Sequence, residues 1–438
     1  MRTIDETHAP ELTSWVEGAD SHPDFPIQNL PLGVFSHLGG AARGGIAIGE
    51  MILDLAALAQ SGLLSGDAQG AAEAASGPTL APLLEMGRLP RRALRRAVSA
   101  LLKTGAPEHE RVDMMLVPMS EAQMLCPAHV GNYTDFYVGI HHAEGVGALL
   151  RPDQPLLPNY RHIPIGYHGR ASTVRPSGTP LVRPHGQSLP PGSDTPYFAP
   201  TQKLDFELEL GLWMARGNPL GRPIPLADAF EHMAGITLLN DWSARDVQAF
   251  EYRPLGPFQS KSFLTSVSPW LVTVEALAPF RQAQAERAFE EPRIPAYLFD
   301  EGDQANGALS LTLSASLASE AMRAAGIAPV TLGSAGASDM YWTLGQMVAH
   351  HTANGCALET GDLLGTGTIS GRAPDSKGSL MEITGNGAHP ITLPTGESRS
   401  FLEDGDEVIL SGHLHAEGWR SIGMGVCRGT VMPPVMRS

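Results

Sequence analysis

The segment Leu204–Leu210, LDFELEL, alternates acid and apolar without a break: Asp205, Glu207 and Glu209 against Phe206, Leu208 and Leu210. A period of two specifies a β-strand with an apolar face and a carboxylate face. On such a strand Glu207 and Glu209 lie roughly 6–7 Å apart on one side. Like charges so placed repel unless water screens them or a cation sits between them. Two readings follow. One is an edge strand with a solvated acidic face. The other is half of an all-oxygen site suited to a hard cation, Mg²⁺ or Ca²⁺.

The rest of the chain narrows the class. Its 48 glycines and 36 prolines in 438 residues punctuate many short strands and turns and argue against an all-helical fold. A charged fraction of 17% beside 42% hydrophobic residues is that of a globular protein. The net charge of −16 argues against nucleic acid as a partner. Cys126, Cys356 and Cys427 are widely separated, which suggests a reducing compartment without a disulfide framework or zinc site. The N-terminal MRTIDETHAPELTSW has no basic and apolar leader pattern, and no run of 18 apolar residues exists, so a cytoplasmic protein without a membrane span is expected.

Residues 1–125 read as one unit and 126–438 as a second, in which chemistry-bearing residues concentrate. Helical patterns occur at Met51–Gln60 and at Pro90–Lys103, where Leu94, Val98, Leu101 and Leu102 share a face. Arg91, Arg92, Arg95 and Arg96 decorate the remainder and are expected to be solvated. Gly66–Gly77 reads as a loop or short helix. Ser177–Gln202, with six prolines, reads as a long surface loop. Pro225–Ala234 and Ser338–His351 look helical. Leu277–Gly307 looks like an irregular excursion, and Leu309–Leu317 and Glu407–Leu414 read as strands.

Four more clusters carry chemistry. Gly131–Ala143 supplies Asp135, Tyr137, His141 and His142; a histidine beside a carboxylate site can act as general base, or the segment is an ordinary aromatic turn. In Leu238–Gln248 an apolar run ends at Asp241, placed as a further carboxylate or as a helix cap, with Arg245 and Gln248 following at helical spacing as anion donors. Phe250–Trp270 offers Tyr252, Lys261 and Thr265; Lys261 either stabilises a carbanion or faces solvent. Leu363–Ile383 contains GTGTISG, whose glycines allow close backbone approach to a ligand, but lacks the GxxxxGK[ST] of a P-loop. Glu382 ends an apolar strand-like pattern and can orient a histidine. Together these acids, one base and several cationic donors suit a metal that polarises a carbonyl while histidine activates water.

These residues stand in stretches that resemble the fumarylacetoacetate hydrolase family, nearly end to end: YTDFY, PIGYHGRAS, LDFELE, NDWSARD, PLGPFQSKSF, YWTLGQMVAHHTANGC and GTISG, in order. The resemblance implies a mainly β fold with some α structure, built as an N-terminal SH3-like barrel and a C-terminal mixed β-sandwich roll. It implies a homodimer that hydrolyses 4-fumarylacetoacetate to fumarate and acetoacetate, the last step of tyrosine and phenylalanine catabolism. By motif position, Asp135, Glu207, Glu209 and Asp241 would hold the Ca²⁺ or Mg²⁺ ion, and Asp241, Lys261 and Thr265 match auxiliary magnesium positions. His142 matches the base and Glu382 its orienting partner. Tyr137, Arg151, Gln248, Tyr252 and Thr368 match substrate contacts, Tyr167 lines the pocket, and Arg245, Gln248 and Lys261 form the anion-stabilising set. One departure is His141, where the family usually has glutamine; Ala143 sets the register that selects His142, and on a strand the two rings would point apart.

Two rivals are distinguishable. Hydratases, decarboxylases, isomerases and acylpyruvate hydrolases of the same superfamily share a three-carboxylate site but usually lack the N-terminal unit. A calcium-binding structural protein would need the acids and have no use for His142, Arg151, Gln248 or Lys261.

Overall fold

The structure is a computed structural model that describes residues 3–190 and 192–436. Met1 and Arg2, where the N-terminal segment read for a leader begins, lie outside that range, as does Pro191 within the expected loop. The fold is mixed but predominantly β.

Residues 32–125 form a five-stranded sheet in the spatial order Leu116–Pro118, Met51–Asp54, Arg43–Ile48, Leu32–His37, Ala122–Leu125, all antiparallel. The expected helix over Met51–Gln60 is half strand. It turns helical only at Leu55, where the Asp54 carboxylate accepts from the Ala56 and Ala57 amides and so starts the helix. The second helix, Gly66–Ala74, falls in the small-residue stretch.

The helix Arg88–Leu102 forms where its spacing predicts, with Pro90 in its first turn. Its arginine face is not all solvated. Arg91 and Arg95 are 3% and 5% exposed. Arg95 donates to Thr7 Oγ1 and to the carbonyls of Asn29 and Gln28, and Arg91 to the Met233 carbonyl and Glu275. The N-terminal segment and the C-terminal unit lie across that face, so their unpaired carbonyls and acids take the guanidinium donors.

The second unit holds an eight-stranded sheet that runs Gly166–Gly169, Tyr133–Phe136, Leu363–Gly365, Leu208–Met214, Met233–Asp241, Thr265–Val267, Val174–Pro176, with Val272–Thr273 also paired to Met233–Asp241. A five-stranded sheet, Val330–Gly336, Leu311–Ala318, Glu407–Leu414, Ile422–Met432, Leu181–Val182, packs on one face of it. Leu208, Leu210, Leu212, Ile236 and Leu238 meet Leu313, Ala315, Leu410 and Met424 in that layer. Each such fully buried leucine contributes about 1.5–3 kcal/mol relative to exposure. On the opposite face Trp213, Leu239, Val267 and Leu363 pack against the N-terminal unit through Val34, Leu94 and Val98.

This burial on both faces removes the edge-strand reading of LDFELEL. Every residue of that segment is buried, and Leu208–Met214 is a central strand between Leu363–Gly365 and Met233–Asp241. The strand is also broken. Leu204–Asp205 pairs with Ser243–Ala244, and the main ladder resumes only at Leu208. Other local expectations are corrected by tertiary pairing. Ser177–Gln202 contains a hairpin, His185–Ser188 with Tyr197–Pro200, and a strand, Leu181–Val182. Helix follows Pro225 only as far as His232, because Met233 enters the main sheet. In Ser338–His351 helix begins at Leu344, where Thr343 and Gln346 form a capping box. No helix among the described residues is long and apolar enough to cross a membrane.

Candidate active site

Three strands of the eight-stranded sheet bring the acids together. Asp135 lies on Tyr133–Phe136, Glu209 on Leu208–Met214, and Asp241 ends Met233–Asp241. One oxygen from each lies within 4.8 Å of the others. The strand between Asp135 and Glu209 contributes Gly365. A Cβ there would stand 2.6 Å from Asp135 Oδ1, 3.0 Å from the Tyr133 hydroxyl and 3.3 Å from Glu209 Oε2. A side chain at this position would therefore push the two carboxylates apart.

The cluster is short of positive charge. Glu209 is fully buried, and neither of its oxygens has a hydrogen-bond partner among the described residues. Burial, then the charges of its neighbours, pushes Glu209 and Asp135 well above the ordinary carboxylate range. Asp135 Oδ1 accepts from the Gly367 amide, at 3.2 Å. The unpaired oxygens of Glu209, facing the carboxylates of Asp135 and Asp241, fit a cation, and an all-oxygen set fits a hard one.

Glu207 has a different environment. Its Oε2 accepts from Lys261 Nζ at 2.5 Å and its Oε1 pairs with Arg245 at 2.7 Å. Burial opposes its charge, but Lys261 and Arg245 outweigh that and hold it well below the usual range. Lys261 also reaches Asp241 Oδ2 at 2.7 Å, so it joins Glu207 to the triad; the two acids outweigh burial and keep the amine protonated. Thr265 donates to Asp241 Oδ1 at 3.0 Å, and the Tyr167 hydroxyl donates to Oδ2 at 3.0 Å. Asp241 caps no helix; the next one starts at Arg245. Of the two readings of Lys261, the solvent-facing one fails: it is 7% exposed.

His142 Nδ1 lies 2.6 Å from Glu382 Oε2. Neither residue is on a strand. His142 lies in the first turn of the helix Ile140–Leu150, and Glu382 on the helix Leu380–Ile383, which Ser379 caps. His142 is buried, whereas His141, one helical step round, faces Asp339, Arg372 and Glu144. Glu382 is held below its ordinary range despite burial, because the His142 ring and the Ser379 and Ser370 hydroxyls, 2.8 and 2.9 Å from Oε2, favour the anion. The two serines were absent from the sequence reading. Ser379-x-x-Glu382 is a capping pattern, which was the available signal.

A cavity of about 660 Å³ opens onto this constellation. Asp135, Tyr137, His142, Arg151, Tyr167, Glu207, Arg245, Gln248, Tyr252, Lys261 and Thr368 all line it. Arg245 donates to Gln248 Oε1 at 3.1 Å. The Thr368 hydroxyl and Arg151 Nε are buried without partners among the described residues, as donors awaiting an acceptor would be. Tyr137 stands edge-on to His142, with ring centroids 5.6 Å apart.

A buried oxygen-ligand cluster and a histidine–carboxylate pair, each reaching one cavity through Asp135 and His142 beside cationic donors, define a metal-dependent enzyme site. The chain belongs to the fumarylacetoacetate hydrolase family. The Fumarylacetoacetate (FAA) hydrolase C-terminal model matches residues 133–432, and the Fumarylacetoacetase N-terminal model matches 28–127. The fumarylacetoacetase of Arabidopsis thaliana is 42% identical, covering 96% of this chain and 99% of its own length. That of Oryza sativa subsp. japonica is 44% identical (96% and 97%) and that of Homo sapiens 42% (95% and 98%). A solved fumarylacetoacetate hydrolase from psychrophilic Exiguobacterium antarcticum shares the fold, with a TM-score of 0.50 at 16% identity over 92% of this chain and 99% of that one.

Proposed function

We propose that this enzyme cleaves a carbon–carbon bond of 4-fumarylacetoacetate with water, releasing fumarate and acetoacetate. The observation that carries the reading is one cavity lined by Asp135 of the carboxylate triad and by His142 of the His142–Glu382 pair, with Glu209, Asp241 and Glu382 behind that lining. Full-length similarity to fumarylacetoacetases selects the substrate.

Asp135, Glu209 and Asp241, with Glu207 as fourth donor, would hold Ca²⁺ or Mg²⁺. Such an ion, when bound, would supply Lewis acidity toward a diketone. Because Nδ1 of His142 donates to Glu382, its Nε2 carries the lone pair and takes a proton from water as the water oxygen bonds to the carbonyl carbon. Glu382 stabilises the imidazolium that results. Arg245, Gln248 and Lys261 face the developing oxyanion as donors. The carbon–carbon bond breaks and its electron pair leaves on the acetoacetate carbon; the proton that His142 Nε2 took from water passes to that carbon, and the new carboxyl of fumarate ionises to solvent. Arg151, Tyr137, Tyr252 and Thr368 supply donors for the substrate's carboxylates and oxygens without a basic surface. Tyr167 and Thr265 fix Asp241.

We further infer an SH3-like barrel for residues 1–125, a sandwich roll for 126–438, a homodimer, and a cytoplasmic enzyme. The sheet orders and the division between the two family matches support the domain reading. Purified protein should consume fumarylacetoacetate with equimolar release of fumarate and acetoacetate. His142→Ala should cut kcat by at least about 10²-fold while metal binding persists. No cleavage by folded, metal-loaded protein would reject the substrate, and unchanged turnover in the variant would reject the base.

A further inference from the structure

The two arms of the site, base relay and anion-stabilising set, come from distant parts of the chain. One buried carboxylate touches both. Asp205 is fully buried. Its Oδ2 accepts from Arg245 Nε at 2.8 Å and from the Met381 amide at 3.1 Å, and its Oδ1 accepts from the Leu380 amide at 2.8 Å. Arg245 in turn reaches Glu207 and Gln248. Leu380 and Met381 open the helix that presents Glu382 to His142.

Asp205 does not line the cavity. Its position comes from the break in the acidic strand. Leu204–Asp205 pairs with Ser243–Ala244, directly before Arg245, instead of continuing the ladder of Glu209. The Arg245 amide donates to the Lys203 carbonyl at 2.9 Å, which fixes the same junction. The third acid of the alternation thus leaves the metal face and becomes a joint.

We propose that Asp205 is a positioning residue that sets the Arg245 guanidinium and the Glu382–His142 pair in one frame, so that oxyanion stabilisation and water activation are aligned on the same carbonyl. Its four hydrogen bonds, counting one from the Phe206 amide, need both oxygens as acceptors. An amide cannot reproduce this, because its NH₂ would face the donors Arg245 Nε and Met381 N–H. A misalignment of about 1 Å at such a frame costs on the order of 10²-fold in rate.

The proposal rests on the hydrolase reading, and its test separates the two. Asp205→Asn should lower kcat about 100-fold, with KM and metal affinity within about threefold of wild type. Asp205→Glu keeps the buried charge beside Arg245 but lengthens the arm, and should lose about tenfold. A purely structural role predicts instead lost folding or metal binding with no selective loss of kcat. Histidine ¹⁵N spectra, with the His142 signal assigned through His142→Ala, read the relay without turnover. In Asp205→Asn that signal should shift, because Glu382 no longer holds Nδ1–H firmly. Wild-type inactivity on fumarylacetoacetate would count against the hydrolase reading alone, and the spectra would still decide this one. Either variant at wild-type kcat, or an unmoved His142 signal in a folded variant, overturns the proposal.

Discussion

Glu207 and Glu209 stand two residues apart in one acidic alternation and meet opposite electrostatic fates. Glu207 is clasped by Lys261 and Arg245 and held ionised. Glu209 has no cationic side chain in contact, shares its space with Asp135 and Asp241, and is driven toward its neutral form. Both are buried, so burial alone does not separate them. The difference lies in what the neighbouring elements supply: the loop and helix after Asp241 bring Arg245 and Lys261, whereas the sheet interior brings only acids. Three acids that share one lysine, itself divided between Asp241 and Glu207, leave room for a cation from outside.

The largest test of this contrast is removal of the clasped charge. Glu207→Gln leaves Lys261 and Arg245 short of a buried counterion and should cost about 3–5 kcal/mol in denaturant unfolding of the metal-free protein. Glu209→Gln should do the reverse there, raising the metal-free Tm by relieving repulsion. It should also weaken Mg²⁺ or Ca²⁺ binding about 10²-fold and activity with it, which calorimetry and turnover will show. An active Glu209→Gln enzyme that resists chelators would break the contrast. Gly365→Ala inserts a methyl between Asp135 and Glu209 and should cost about 1–3 kcal/mol, with metal affinity falling in parallel.

The smallest effects are in pH dependence, where the two glutamates have opposite signs. Raised carboxyls stabilise most when protonated. The Asp135 and Glu209 contribution is complete below their unfolded values, 3.8 and 4.5, and is lost as pH rises through their higher folded values. Each contributes up to about 1.4 kcal/mol per pH unit in that window. The depressed Glu207 contributes stability above 4.5 that is lost as pH falls toward its lower folded value. Unfolding of metal-free protein against pH should show the first loss, and saturating Mg²⁺ should abolish it by holding the carboxylates ionised.

Part of the candidate site was legible locally: Glu207 and Glu209 stand out as acids of a strict alternation and Asp241 as the acid that ends an apolar run, whereas Lys261 kept two open readings until the motif resemblance chose between them. The strand Glu407–Leu414 was legible from its apolar VIL run, and the helix on Leu94, Val98 and Leu101 from period. What failed was anything decided by a distant partner. His142 and Glu382 read as strand residues but lie on short helices, since a few residues of aromatic and β-branched character cannot report a local cap such as Ser379. Arg91 and Arg95 read as a solvated face because their acceptors, Asn29, Gln28 and Met233, are remote in sequence. The proline-rich hairpin over residues 185–200 read as loop for the same reason: its pairing is weakly signalled within either strand. Asp205 was visible as an acid of the alternation, but its departure from the metal face depends on a strand break with no punctuating glycine or proline.

The most direct test is fumarylacetoacetate cleavage by enzyme stripped with EDTA, then titrated with Mg²⁺ or Ca²⁺ against the Glu209→Gln variant. The account predicts turnover lost on stripping, restored by the ion in wild type, and restored in Glu209→Gln only at about 100-fold higher ion concentration. Full activity of the stripped enzyme, or identical ion dependence in the variant, would contradict it.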